Sequence, residues 1–187
     1  MSVIQNEAYV TLVTSDSYVI GAGVLAKSLQ NTGTSRMIWC LASKKLSMDS
    51  LNVLRAIFMG VTEVDCLDSE DVANLALLGR PELGQTFTKL HLWQLTQFNK
   101  VVFLDADTMI LKNIDDLFER EEFSACADVG WPDCFNSGVF VARPSEETFG
   151  ALTKLARDEG SFDGGDQGLL NSYFSDWSTG PSSRRIP

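Results

Sequence analysis

Val101-Val102-Phe103-Leu104-Asp105-Ala106-Asp107 is the stretch on which the reading of this chain turns: four consecutive apolar residues, then two carboxylates separated by one small residue. A short apolar run bounded by polar residues fits a strand buried on both faces. Its end brings two acids to the rim of a sheet, where alternate residues of an extended chain share a face. Carboxylates so placed suit Mg²⁺ or Mn²⁺, which are held by one or two acids and complete their shell with substrate phosphate. The same residues, followed by Thr108, also suit a plain turn.

Strand and helix patterns alternate around this run. Ala8 to Thr14 reads as a first strand, and Tyr18, Ala22, Leu25 and Leu29 then recur at helical spacing. Met37 to Ala42 is a second strand, followed by a helix with Leu51, Leu54 and Phe58 on one face, and Glu63 to Leu67 is a short third strand. A polar stretch from Ser69 to Gln85 leads into a helix near Thr88 to Phe98, which puts Lys89 in its first turn. Beyond Asp107, Phe123 to Ala127 and Ser137 to Ala142 read as strands. Ser145 caps a helix striped by Phe149, Leu152 and Leu155, and a last helix spans about Gly165 to Trp177. The pattern predicts one α/β domain over residues 1–187, with a mostly parallel sheet covered on both faces. Ligands of such sheets gather at the carboxyl ends of strands, where Thr14 and Asp105 lie. The tail from Ser182 to Pro187 is polar and offers no closing element, so a truncated domain is expected.

Composition narrows the function classes. The formal net charge of -10 argues against a nucleic-acid partner, which needs clustered Lys and Arg. No run approaches the roughly 20 apolar residues of a membrane span. The start, Met1 to Glu7, has neither a basic nor an apolar leader segment, and Cys40, Cys66, Cys126 and Cys134 lack metal-site spacing; both point to the cytoplasm. A diphosphate approaching so acidic a chain must be met by local positive charge from a metal or from placed bases. Lys89 and Arg80 are the candidate bases, Lys89 because an anion is favoured where it sits, at a helix start.

Gly21-Ala22-Gly23-Val24-Leu25-Ala26 matches a dinucleotide-binding pattern, but Ser15 to Ile20 separate it from the preceding strand and the expected downstream acid is missing. Small residues for packing a helix on the sheet account for it better. The loop Phe162-Asp163-Gly164-Gly165-Asp166-Gln167 gathers two acids and an amide at a helix start. Asp163 suits a cap or a ligand contact, while Asp166 and Gln167 suit sugar hydroxyls or a developing positive charge. Asn136 and Ser137 add a polar pair at a strand start.

Taken together, Arg80-Pro81-Glu82-Leu83-Gly84, Thr88-Lys89-Leu90-His91, Asp105-Ala106-Asp107, Trp131 to Phe140 and Gly160 to Gly168 resemble the glycogenins, from about Tyr9 to Trp177. The resemblance implies the Rossmann-like glycosyltransferase A fold and a retaining glucosyltransferase of glycosyltransferase family 8. Such an enzyme passes glucose from UDP-glucose to a protein tyrosine and then to a growing glucan. It further implies Mn²⁺ on Asp105 and Asp107, and uridine beside Leu12, Thr14, Ser15 and Tyr18. Arg80, Lys89 and Ala106 would lie at the phosphates and sugar, with Asn136, Ser137, Asp163, Asp166 and Gln167 around the glucose. Asp166, Asp163 and Lys89 are the catalytic candidates. A homodimer and a glycogen synthase partner are implied as well. Ser15 departs from the family's usual asparagine. The family's third metal ligand, a histidine in a Lys-Pro-Trp motif, and its acceptor tyrosine find no match here, so Tyr9, Tyr18 and Tyr173 are not expected to accept glucose. A non-catalytic sugar-nucleotide-binding or partner-binding module is the alternative.

Overall fold

The computed structural model describes residues 4–67 and 81–187. The strands are β1 (Ile4–Val13), β2 (Arg36–Ser43), β3 (Gly60–Val64), β4 (Lys100–Leu104), β5 (Ser124–Ala127), β6 (Phe135–Ala142) and β7 (Arg185–Ile186). They form one sheet in the order β3-β2-β1-β4-β6-β5-β7. Parallel pairing joins β1 to β2, β1 to β4, β2 to β3 and β5 to β7, and β6 runs antiparallel between β4 and β5. The chain builds outward from β1 to β3 and then returns to the other side of β1 as β4. The carboxyl ends of β1 and β4 therefore flank the topological switch point, the position at which open α/β sheets bind ligands. Because β6 is antiparallel to β4, its start arrives at the same edge.

The alternation of each strand divides the core between two faces. Ala8, Val10, Val101, Phe103, Phe140 and Ala142 face one layer, closed by α3 (Glu146–Asp158), α4 (Asp166–Tyr173) and Trp177. Tyr9, Val13, Val102, Leu104 and Val141 face the other, closed by α1 (Val19–Asn31) and α2 (Met48–Ile57). Ser145 caps α3 through a bond from the Thr148 N–H, and Leu152 is the buried residue of its stripe.

Several sequence expectations are corrected. The segment expected as an α-helix from Thr88 to Phe98 is a run of 3₁₀ turns over Pro81–Gln94, and Lys89 lies in its interior instead of its first turn. Side chains three apart eclipse in a 3₁₀ helix, so Phe87, Leu90 and Trp93 form one buried column. Thr86 and Lys89 share a second column. The third strand starts three residues early, at Gly60, which pairs with Trp39 of β2 and leaves the Trp39 ring the place of a Cβ. The last helix ends at Tyr173. The tail, expected to be without structure of its own, adds a two-residue strand: Arg185 and Ile186 pair in parallel with Ala125 and Cys126.

Candidate functional site

Strand β4 ends at Leu104, one residue before the acids. The Asp105 N–H still donates to the Gly138 carbonyl of β6 at 2.9 Å, and the Asp105 carbonyl accepts from Thr108 N and Oγ1 at 3.0 and 2.7 Å. Asp105-Ala106-Asp107 is thus a turn set on the sheet's rim, and the turn itself, rather than strand alternation, sets where its carboxylates go. Asp105 is half-buried, Ala106 buried and Asp107 exposed. Two glycines make room for this turn. A Cβ at Gly21 of α1 would stand 2.7 Å from the Ala106 carbonyl oxygen, and one at Gly138 would stand 3.0 Å from Asp105 Oδ2. The pattern containing Gly21 and Gly23 therefore serves packing, Gly21 against this turn and Gly23 toward Ile57.

Lys89 is the centre of the site. Its Nζ lies 2.6 Å from Asp166 Oδ2 and 3.3 Å from Asp105 Oδ1, donates to the Ser137 carbonyl at 3.1 Å, and sits 4.7 Å from the centroid of the Phe103 ring. The ammonium has three N–H groups, and three oxygens surround it. Lys89 and Asp166 are 4 % and 5 % exposed, which makes this a buried ion pair rather than a lysine reaching for solvent. Burial pushes the Lys89 pKa down, but the charges of Asp105 and Asp166 outweigh it and hold it above the usual lysine value. Burial raises the Asp105 carboxyl above its usual range, and the Asp166 and Asp107 charges add to this while Lys89 opposes it.

The neighbouring residues hold this cluster in place. Thr86, on the Lys89 column, accepts from the Asp166 N–H at 2.9 Å and so occupies a backbone donor at the start of α4. Gln167 Oε1 accepts from Asn136 Nδ2 at 3.2 Å and from the Ser137 N–H at 3.3 Å. Its Nε2 donates to Asp128 Oδ2 at 3.1 Å. Asp163 acts within its loop: its Oδ1 accepts from Ser161 Oγ, Gly165 N and Gly168 N. Thr14 and Ser15 follow β1 at the switch point, and exposed Tyr18 directly precedes α1, whose Gly21 abuts Ala106. Leu12 is half-buried and packs against the core below them. Arg80 lies outside the described residues. Asp128 is the residue that sequence reasoning missed. Its signal was local, an acid two residues before Gly130, but its partner Gln167 is distant in sequence.

The donor set allows a test of metal fit. Among the described residues no group of three or more His, Cys, Asp or Glu side chains is gathered for a metal. His91 is turned elsewhere, with its ring nitrogens on Gln94 Oε1 and the Asp65 carbonyl. Asp105 and Asp166 share the single Lys89 ammonium, and the Asp107 charge acts on Asp105, so acids outnumber the one buried base. With Asp107 open to solvent, this fits a divalent cation that shares its shell with a substrate's oxygens.

The family model for glycosyl transferase family 8 matches residues 9–178. Glycogenin-1 of Mus musculus is 57% identical over 182 residues, covering 97% of this chain and 55% of that protein. Human glycogenin-2 is 50% identical over 184 residues, covering 98% of this chain and 37% of that protein. The chain spans 37% to 55% of the length of these curated relatives. The glycosyltransferase GlyE of Streptococcus pneumoniae TIGR4 shares the fold, with a TM-score of 0.66 at 22% identity over 92% of this chain and 44% of that one. No helix of the described residues is long and apolar enough to cross a membrane. With the match extending over nearly its whole length, on a glycosyltransferase A fold, the chain belongs to glycosyl transferase family 8.

Proposed function

We propose that this chain carries the donor-binding and catalytic part of a glycogenin-like, retaining glucosyltransferase. It would move glucose from UDP-glucose to a tyrosine and then to a growing α-1,4-glucan. The observation that carries the reading is the buried Lys89 ammonium joining Asp105, at the diphosphate end, to Asp166, at the sugar end. The identity to glycogenins supports the choice of glucose and of the acceptor. A homodimer, a glycogen synthase contact and a cytosolic location belong to the same proposal.

In this reading the uridine lies along Leu12, Thr14, Ser15 and Tyr18, and the diphosphate over the turn of Asp105, Ala106 and Asp107. Mn²⁺ held by Asp105 and Asp107 would neutralise charge on the departing diphosphate. Lys89 sets its positive charge between the carboxylates of Asp105 and Asp166 and so lets the two sit close together. Asp166, fixed by Lys89 and by Thr86, offers a carboxylate for the positive charge that develops at the anomeric carbon. Asn136 and Ser137, oriented by Gln167, face the sugar hydroxyls, and Asp163 holds the loop that presents Asp166. The bond from the anomeric carbon to the phosphate oxygen breaks, UDP departs with the electron pair, and the acceptor hydroxyl forms the new bond as its proton passes to the departing phosphate oxygen.

Calorimetry of UDP-glucose with Mn²⁺ tests the donor site. Asp107→Asn should lower affinity at least tenfold, and chelation of the metal should do the same to the wild type. Asp166→Asn should keep binding and lose transfer to a maltoside acceptor. Unchanged affinity in the first variant overturns the metal assignment, and wild-type turnover in the second removes Asp166 from the chemistry. Binding by the wild type with no transfer to an added maltoside would favour the binding-module alternative.

A further inference from the structure

Most aromatic rings of this chain are buried, Trp93, Trp177, Phe123, Phe135 and Phe140 completely so, yet two on the loops that carry Asp128 and Asp163 are not. Trp131 is 53% exposed and Phe162 54%, and Val129 is fully exposed. Among the described residues neither of these rings meets another aromatic ring. Three open apolar side chains on adjoining loops differ from apolar residues scattered singly over a surface.

The loops that carry them are fixed. Asp128 Oδ1 accepts from Gly130 N at 2.8 Å and Trp131 N at 3.1 Å, while the Trp131 carbonyl accepts from Cys134 N at 2.8 Å. The Asp128 N–H donates to the Cys134 carbonyl at 2.9 Å and closes the turn. The other oxygen of the same Asp128 carboxylate holds Gln167, which orients Asn136. Phe162 projects from the second loop, tied by Asp163 and shaped by Gly160 and Gly164 at φ of 72° and 73°. The bond from Gln167, which follows the second loop, to Asp128 of the first ties the two loops together.

We propose that Trp131 and Phe162 form an aromatic platform for the acceptor saccharide, beside the donor site and mechanically joined to it through Asp128 and Gln167. The proposal rests on the glycosyltransferase reading above. One face of a pyranose ring is lined by C–H groups and stacks on an aromatic surface, and a ring on an already ordered turn loses little freedom when it is covered. The carboxylates of Asp128, Asp133 and Asp163 around the platform repel anionic ligands and can accept bonds from neutral sugar hydroxyls. An uncharged glycan chain therefore fits better than an acidic one.

Trp131 is the most exposed tryptophan, so acrylamide quenching of tryptophan fluorescence reports on it directly. Saturating maltoheptaose should at least halve the quenching constant of the wild type and leave that of Trp131→Leu unchanged. In transfer assays Trp131→Leu should raise KM for maltoheptaose about tenfold, with UDP-glucose affinity within twofold and kcat little changed; Trp131→Phe should restore most of the loss. UDP-glucose binding without protection of Trp131 overturns the platform and leaves the donor reading intact. Protection of Trp131 without UDP-glucose binding overturns the donor reading, and with it the acceptor role, and leaves only saccharide binding at the platform. An unaltered KM in Trp131→Leu also overturns the proposal.

Discussion

Lys89 shows how a single cation can be spoken for by its own protein. Charge balance at a site for a diphosphate calls for a base near Asp105, and a base is there, but its ammonium already donates to the Ser137 carbonyl and is ion-paired with Asp105 and Asp166. Removing one partner from a buried pair strands the other charge, so Lys89→Met should destabilise the fold by about 3 to 5 kcal/mol. Lys89→Arg should not rescue it, because a planar fork does not fit a cage built for a compact ammonium. If the pair is coupled as its geometry requires, the double variant Lys89→Met, Asp166→Asn should be less destabilised than the sum of its single variants. The difference should be at least about 1 kcal/mol in urea unfolding. Additive losses would show that Lys89 acts mainly through its packing on Phe103. The residue types of this cluster were legible in the sequence; their mutual distances were not, since Lys89 and Asp166 lie far apart along the chain. Asp128 was illegible for the same reason. Its local hydrogen bonds to Gly130 and Trp131 have a sequence signal, but its bond to Gln167 has none.

At the scale of elements, the strands next to the switch point follow directly from their apolar runs, because a strand buried on both faces must be apolar throughout. Elements that depend on distant partners were harder to see. Arg185 and Ile186 become a strand only because the edge of β5 is available to them, and β3 begins at Gly60 where it pairs with Trp39 of β2. The helix expected near Thr88 to Phe98 is instead part of the 3₁₀ segment Pro81–Gln94, whose buried column of Phe87, Leu90 and Trp93 has a period of three, a spacing that an α-helix also tolerates on one face. The contact of α1 with the Asp105 turn yields a paired prediction. Gly21→Ala places a Cβ 2.7 Å from a backbone oxygen that cannot rotate away, so it should cost about 1 to 3 kcal/mol and weaken UDP-glucose binding by moving the turn. Gly23→Ala meets only Ile57 Cδ1 at 3.5 Å, an ordinary contact, and should be neutral or stabilising by up to about 1 kcal/mol through helix propensity. Thermal unfolding and calorimetry of the two variants separate a general intolerance of α1 from this one contact.

Across the whole molecule the two ends of the parallel strands do different work. The carboxyl ends carry the acids and amides of the site, while the amino ends carry a network that joins β1, β2 and the 3₁₀ turn at Asp115–Glu119. Tyr9 Oη donates to Asp115 Oδ1 at 2.7 Å, Thr34 Oγ1 and the Ser35 N–H donate to the same carboxylate, and Arg36 pairs with Glu7 at 2.6 Å while lying 3.6 Å from Asp115. Burial would raise the Asp115 carboxyl, but the bonds from Thr34, Tyr9 and Ser35, with the Arg36 charge, outweigh it and hold its pKa below the usual aspartate value. A carboxyl depressed in the folded state contributes stability that is fully present above its unfolded pKa, about 3.9, and disappears as pH falls through its lower folded value. Asp115→Asn should therefore cost about 1 kcal/mol at neutral pH after allowance for solvent screening, or roughly 2 to 4 °C in Tm. The gap between variant and wild type should narrow as pH falls below about 4. Tyr9→Phe should lower Tm by a similar amount at neutral pH and lose its effect over the same acid range. Because this network lies at the opposite end of the strands from Lys89, neither variant should change the affinity for UDP-glucose at neutral pH. A gap in Tm that stays constant from pH 7 to pH 3 would show that the loss comes from packing around Tyr9 and Phe118, not from the Asp115 charge.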